Sequence, residues 1–211
     1  MWCTYGRKDA AVTVRARERD GRPSPERILA EVMAAVAEHG LAELTMASLG
    51  RRLGMSGGHI LYYFGSKDRI FLEALRWSEG RLAEERRALL ARPIPADRKL
   101  DRFLALYLPL GPRDPRWVLW VELWARTPAD EALREPQDEL DAGWQDDLAA
   151  LLDRGVRQRR FAPHDTAAAA AQLLALLDGL STRVVLGLRG ADREGALAHA
   201  REAARSLVPR V

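Results

Sequence analysis

The chain has 211 residues, 47% apolar and 30% charged, the composition of an ordinary globular protein, long enough for one large domain or for a small domain fused to a larger one. No run of eighteen apolar residues is present, Met1 to Ala10 lack the apolar core of a signal peptide, and the single cysteine, Cys3, excludes a disulfide within the chain; these features point to a cytoplasmic protein with no membrane partner. The net charge of +3 is too small to prove a nucleic-acid partner, but Arg7, Lys8, Arg15, Arg17, Arg19, Arg22 and Arg27 crowd the N-terminal stretch.

In chain order, residues 1–22 have no sustained apolar period and read as a flexible basic tail, either simply solvated or an arm that neutralises phosphates. Ser24-Pro25 opens the first helix, with serine at the N-cap and proline at the first helical position; Ile28, Leu29, Val32, Val36 and Ala37 give it one apolar face and Gly40 ends it. Thr45 caps a short helix from Met46 to Leu53, Gly54 turns the chain, and Ser56 caps a third helix that runs to about Phe64. Ser66 caps a fourth, from Lys67 past Arg87. Further helices follow at Asp97 to Leu108, Asp114-Pro115 to Arg126, about Ala129 to Arg160 with a bend or interruption near Pro136, Asp165 to about Leu188, and Asp192 to Leu207. About nine helices with no alternating β-type segment predict an all-α fold.

Two short helices joined by a glycine turn are the parts of a helix-turn-helix, whose second helix enters the major groove; by geometry alone an αα-hairpin used only for packing fits as well. Residue identity separates the two. The segment Thr45 to Asp68, with its Leu53-Gly54-Met55-Ser56 turn, the Tyr62-Tyr63-Phe64 block and Ser66-Lys67-Asp68, resembles the DNA-binding signature of the tetracycline-repressor (TetR) family, and Ile28 to Gly40 resembles that family's first helix. The likeness covers residues 25–75. It implies a DNA-binding domain at 23–70, a ligand-binding and dimerisation domain at 71–211, and a homodimer on a palindromic operator in double-stranded DNA. Thr45, Ser56, Tyr62, Tyr63 and Lys67 would then face phosphates, and Gly57, Gly58 and His59 would lie on the reading helix. His59 is the candidate for a base edge, with a phosphate contact as the plainer alternative. Leu61 departs from the family, whose members often carry a phosphate-contacting tyrosine there. The two adjacent glycines cost the reading helix roughly 1 kcal/mol each.

Downstream, Trp117, Trp120 and Trp124 share one helical face, and the family layout brings Trp77, Phe103, Tyr107 and Trp144 towards it. This set is either a packed aromatic core or the lining of an effector cavity, with Glu122, Gln172 and Asp178 as polar candidates. Tryptophans beside a carboxylate suit a cation, and the same set suits a planar aromatic. The expected effector is a small apolar or aromatic molecule, and a regulator without any effector is the alternative. Ala175 to Leu180 (Ala-Leu-Leu-Asp-Gly-Leu) resembles the betaine/choline-regulator branch. The helix from Asp165 is apolar nearly all round: Leu173, Leu177, Leu180, Val184 and Leu188 form one stripe, and Ala168, Ala171, Ala175 and Gly179 a smaller-sided second one. Two apolar faces predict a dimer through the last two helices, about 165–207.

An enzyme is disfavoured. His39, His59, His164 and His199 lack metal-ligand spacing, Cys3 has no neighbouring base, and Gly54-Met55-Ser56-Gly57-Gly58 lacks the lysine-serine end of a phosphate loop, so neither catalysis nor a cofactor is expected.

Overall fold

Capping oxygens start most of the helices. Ser24, Thr45, Ser56, Ser66, Asp114, Asp165 and Asp192 each accept a backbone N–H from the first turn that follows, satisfying donors a helix cannot satisfy itself. In this computed structural model, residues 23–211 are described, and the basic stretch read as a tail lies outside them. The helices are α1 (Pro25–His39), α2 (Met46–Leu53), α3 (Gly57–Phe64), α4 (Lys67–Ala91), α5 (Ala96–Tyr107), α6 (Pro115–Arg126), α7 (Arg134–Arg157), α8 (Thr166–Val185) and α9 (Arg193–Leu207), with one turn of 3-10 helix at Glu131–Leu133. Among the described residues there is no strand, only an isolated antiparallel bridge between Phe161 and Arg210.

Near Pro136 the helical run from Ala129 is interrupted and not bent: a short 3-10 turn precedes α7, and Pro136 falls in the first turn of α7, where its missing N–H has no intrahelical partner to lose. The eighth helix stops at Val185, three residues short of Leu188, because Gly187 turns left-handed at φ +62°, and Leu188 is left exposed.

The head is a three-helix core. Ile28, Val32 and Val36 of α1, Leu49 of α2 and Ile60 of α3 are fully buried and meet Ile70 and Ala74 of α4. The turn between α2 and α3 is tight. Gly54 is left-handed (φ +68°), and a methyl on Gly50 would lie 2.5 Å from the Met55 carbonyl oxygen. The body packs α5, α6, α7 and α8 around a second apolar centre, continuous with the first through α4, which is about 37 Å long and runs from the head into the body. α1 also rests on α6.

α8 has the length and apolar composition of a membrane-spanning helix. Here it packs on α6, α7 and α9, and Leu173, Leu177 and Val184 are buried in the bundle. Ala168, Ala171, Ala175 and Gly179 line its exposed side.

Candidate DNA-reading head and effector site

The hydroxyl oxygens of Thr45 and Ser56 cap their own helices. Thr45 Oγ1 accepts the Ser48 N–H at 3.0 Å, Ser48 Oγ accepts the Thr45 N–H at 3.0 Å, and Ser56 Oγ accepts the His59 N–H at 3.1 Å. These bonds fix the N-termini of α2 and α3, whose positive ends suit an anion. On α3 the outer face carries Gly58, Tyr62 (85% exposed) and Tyr63 (44% exposed), with half-buried His59 against both rings at 6.2 and 5.3 Å between centroids. The tyrosines thus divide, Tyr63 packing more than Tyr62. The glycines divide too. A methyl on Gly57 would meet the Met46 carbonyl oxygen at 2.9 Å, whereas a methyl on Gly58 would point into open space. Lys67 begins α4 with its ammonium 5.4 Å from the Phe71 ring centre. Arg52 turns away from this face and forks between Glu31 and Glu38 of α1; its hydrogen bond holds the Glu38 carboxyl below the ordinary range.

In the body the aromatic set assembles. Tyr107 lies 4.7 Å from Trp144 and 5.6 Å from Trp117 between ring centres, Phe103 lies 5.4 Å from Trp144, and Trp124 lies 5.9 Å from Trp117 and 5.7 Å from Trp120. At its centre stands Glu79 of α4, 4% exposed. Its carboxylate accepts the indole N–H of Trp120 at 2.7 Å and that of Trp144 at 2.9 Å, and the Arg116 guanidinium donates to it at 3.3 Å. Arg116 also donates to the Tyr107 carbonyl oxygen at 2.6 Å and lies 5.2 Å from the Trp117 ring centre. The Tyr107 hydroxyl donates to Asp178 of α8 at 2.5 Å. Burial pushes the Asp178 carboxyl up to about 6, against the pull of the Tyr107 hydrogen bond, and burial likewise pushes the Tyr107 hydroxyl well above its ordinary value.

Three expected residues stand apart from this cluster. Trp77 is half-buried on α4 under the Arg81 guanidinium, 5.2 Å from its ring centre. Gln172 is exposed, because it precedes buried Leu173 by one residue and so sits about 100° round the helix from the core stripe. Glu122 pairs with Arg126 at the far end of α6, and Arg126 reaches on to Asp68 in the first turn of α4. The sequence reading missed Glu79 and Arg116. Glu79 did leave a signal: it follows buried Leu75 by four residues and precedes core-packed Leu82 by three, a carboxylate on an apolar stripe. Beside it, between α4 and α7, lies a cleft of about 310 Å3 lined by Glu79, Gly80, Ala83, Arg86, Gly143 and Trp144 among others. No group of three or more metal-ligating side chains occurs among the described residues.

A helix-turn-helix with an exposed reading helix, tied by one long helix to a helical body with a buried polar-aromatic centre, defines a DNA-binding regulator of transcription. The comparisons agree. Residues 28–74 match the tetR family of bacterial regulatory proteins, and residues 95–209 match the C-terminal domain of BetI-type transcriptional repressors. The chain belongs to the TetR family of transcriptional regulators, with a BetI-type C-terminal domain, and is not an enzyme. It is similar to the HTH-type transcriptional regulator BetI of Burkholderia cenocepacia, 27% identical over 169 residues that cover 77% of this chain and 82% of the relative. It is also similar to BetI 2 of Chromohalobacter salexigens, 29% identical over 182 residues covering 82% and 84%. Among solved structures, a regulator from Saccharomonospora viridis in complex with choline superposes with a TM-score of 0.79 at 27% identity, over 87% of this chain and 96% of that one. A TetR regulator from Haloarcula marismortui shares the fold with a TM-score of 0.76 at 24% identity, over 87% and 97%.

Proposed function

We propose that the protein is a cytoplasmic homodimeric repressor that reads a palindromic operator with α3 and leaves it when a small organic cation binds in the body. The N-termini of α2, α3 and α4 and the residues Thr45, Ser56, Tyr62, Tyr63 and Lys67 serve phosphates, which set position without reading sequence. Gly58 and His59 serve base edges, with Gly57 supporting α3 from behind. The observation that carries the effector reading is the buried Glu79 carboxylate, ringed by tryptophans, in a chain whose structural neighbour is in complex with choline. It replaces the expectation of an apolar or aromatic effector with a cationic one, because tryptophan faces and a carboxylate are the groups that stabilise an organic cation out of water.

Repression then follows from linkage. A ligand that binds more tightly to the DNA-incompetent state weakens operator binding by the same factor as DNA weakens ligand binding. The test is fluorescence anisotropy on the DNA upstream of the protein's own gene, with scrambled DNA beside it. Choline and its neutral isostere 3,3-dimethylbutan-1-ol are added in turn. The expected result is sequence-preferring binding that choline weakens and the alcohol does not. Operator affinity unchanged by choline sinks the cationic effector, and equal affinity for both DNAs sinks recognition of this site.

A further inference from the structure

The tryptophan site already holds a cation, and that cation is part of the chain. A carboxylate buried as deeply as Glu79 needs a compensating charge, and the guanidinium of Arg116, itself buried, supplies it. Local helix electrostatics do not put it there. Arg116 is the second residue of α6, its N–H bonded to the Asp114 cap at 3.1 Å, and the positive end of a helix disfavours a cation. Glu79, the Tyr107 carbonyl oxygen and the Trp117 ring hold it instead.

The site is also built to survive the guanidinium's departure. The indole N–H groups of Trp120 and Trp144 come from two different helices, α6 and α7, and fix the two carboxylate oxygens of Glu79 without help from Arg116. Glu79 further lines the α4–α7 cleft, where Gly80, Ala83 and Gly143 present little or no side chain and the Arg86 guanidinium lies over the Trp144 ring at 4.0 Å, so the cleft is the side from which a small molecule would approach the carboxylate.

We propose that the Glu79–tryptophan site is a cation-binding site whose resting occupant is the Arg116 guanidinium, and that a small organic cation binds by displacing it. The proposal rests on the cationic-effector reading above and names what that effector competes with. The exchange swaps one monovalent cation for another, so the charge of the buried site is unchanged, and the freed guanidinium moves at the start of α6.

Chemical rescue tests this. Arg116→Ala is titrated with methylguanidinium and tetramethylammonium, and Tm and tryptophan fluorescence are followed; methylurea and 3,3-dimethylbutan-1-ol are the neutral controls. The expected result is a saturable rise in Tm with each cation, none with the neutral molecules, and none in the Arg116→Ala, Glu79→Gln double variant. Wild-type protein, whose site is already filled, binds tetramethylammonium about tenfold more weakly than Arg116→Ala. The absence of a saturable rise overturns the proposal, and so does equal affinity in the wild type. If Arg116→Ala does not fold, Arg116→Lys carries the titration, since its ammonium keeps the charge but does not span both Glu79 and the Tyr107 carbonyl. It is expected to bind tetramethylammonium more tightly than wild type, and no gain overturns the proposal. Failure of the effector reading looks different: rescue succeeds while choline leaves wild-type operator binding unchanged.

Discussion

At Gly57 a methyl group would sit 2.9 Å from the Met46 carbonyl oxygen, where α2 begins, and the nearest atoms are the Met46 backbone and its Cβ, not the far end of a flexible side chain that could give way. Gly57→Ala is therefore expected to strain the α2–α3 turn by about 1–3 kcal/mol and lower Tm by several degrees. One residue on, Gly58→Ala adds its methyl to open space and gains roughly 0.5–1 kcal/mol of helix propensity, so Tm holds or rises while operator affinity changes. Thermal melts of the two variants and one DNA titration check the pair; equal loss of Tm in both would show that the reading helix is not oriented as described. Asp178 gives a second test at this scale. Its native carboxyl titrates near 6, above the ordinary value of about 4, so the native state binds this proton more readily than the unfolded chain. The stability this contributes is complete below the ordinary value and is lost as pH rises through about 6. Other acids, Asp97 among them, shift the opposite way, so the quantity to follow is the difference in Tm between wild type and Asp178→Asn. That difference is expected to move in favour of wild type as pH falls from 7 to about 4.5, and a flat difference would mean that the carboxyl titrates at its ordinary value.

Two helices, α4 and α6, connect the proposed effector site to the proposed reading head. α4 carries Lys67 at one end and Glu79 three turns on; α6 carries Arg116 at its start and Arg126 at its end, and Arg126 grips Asp68 beside Lys67. A shift of α6 would thereby be handed to the first turn of α4 through a side chain as well as through packing. Arg126 is part-exposed, and pairs of that kind contribute about 1 kcal/mol or less, so Arg126→Met is expected to leave Tm nearly unchanged. It is expected to reduce the choline-induced loss of operator affinity while choline binding to the body persists. Anisotropy with and without choline, beside a calorimetric titration, reads both, and an undiminished response removes Arg126 from the coupling. The starts of these helices were legible in the sequence because a cap is a local event: Thr45, Ser56, Ser66 and Asp114 each bond a backbone group within three residues. Ends and interior partners were less so. Pro136 fitted a bend or an interruption because only the 3-10 turn before it reveals that a helix begins there, and Gln172 looked available because the chain alone does not fix which side of α8 meets the core. The Glu79–Arg116 pair joins residues 37 apart in sequence and needs the α4–α6 packing to exist.

Across the whole molecule, α8 presents more apolar surface than one subunit covers. Ala168, Ala171, Ala175 and Gly179 line its exposed side, nothing lies near a methyl built on Gly179, and Leu186 beyond the helix end is 56% exposed. Small residues let a second helix approach closely, and a helix apolar on every side is stable in water only when every side is covered. We propose that a second copy of α8 and α9, packed as a four-helix interface, covers it. The same arrangement would serve the reading heads, since a two-fold axis through that interface would let two α3 helices meet successive major grooves about 34 Å apart. Ala175→Arg places a long charged side chain on this surface without touching the core of the subunit. It is expected to yield a folded monomer, with helix content kept and mass halved by light scattering. Each monomer binds only one half-site, so operator affinity is expected to fall by at least about 100-fold, because linking two heads through a dimer multiplies affinity by a local concentration that a free head lacks. A dimer that persists in Ala175→Arg would move the interface to another face. A monomer that keeps full operator affinity would mean that one head suffices, and that the two-fold geometry is not what the operator reads.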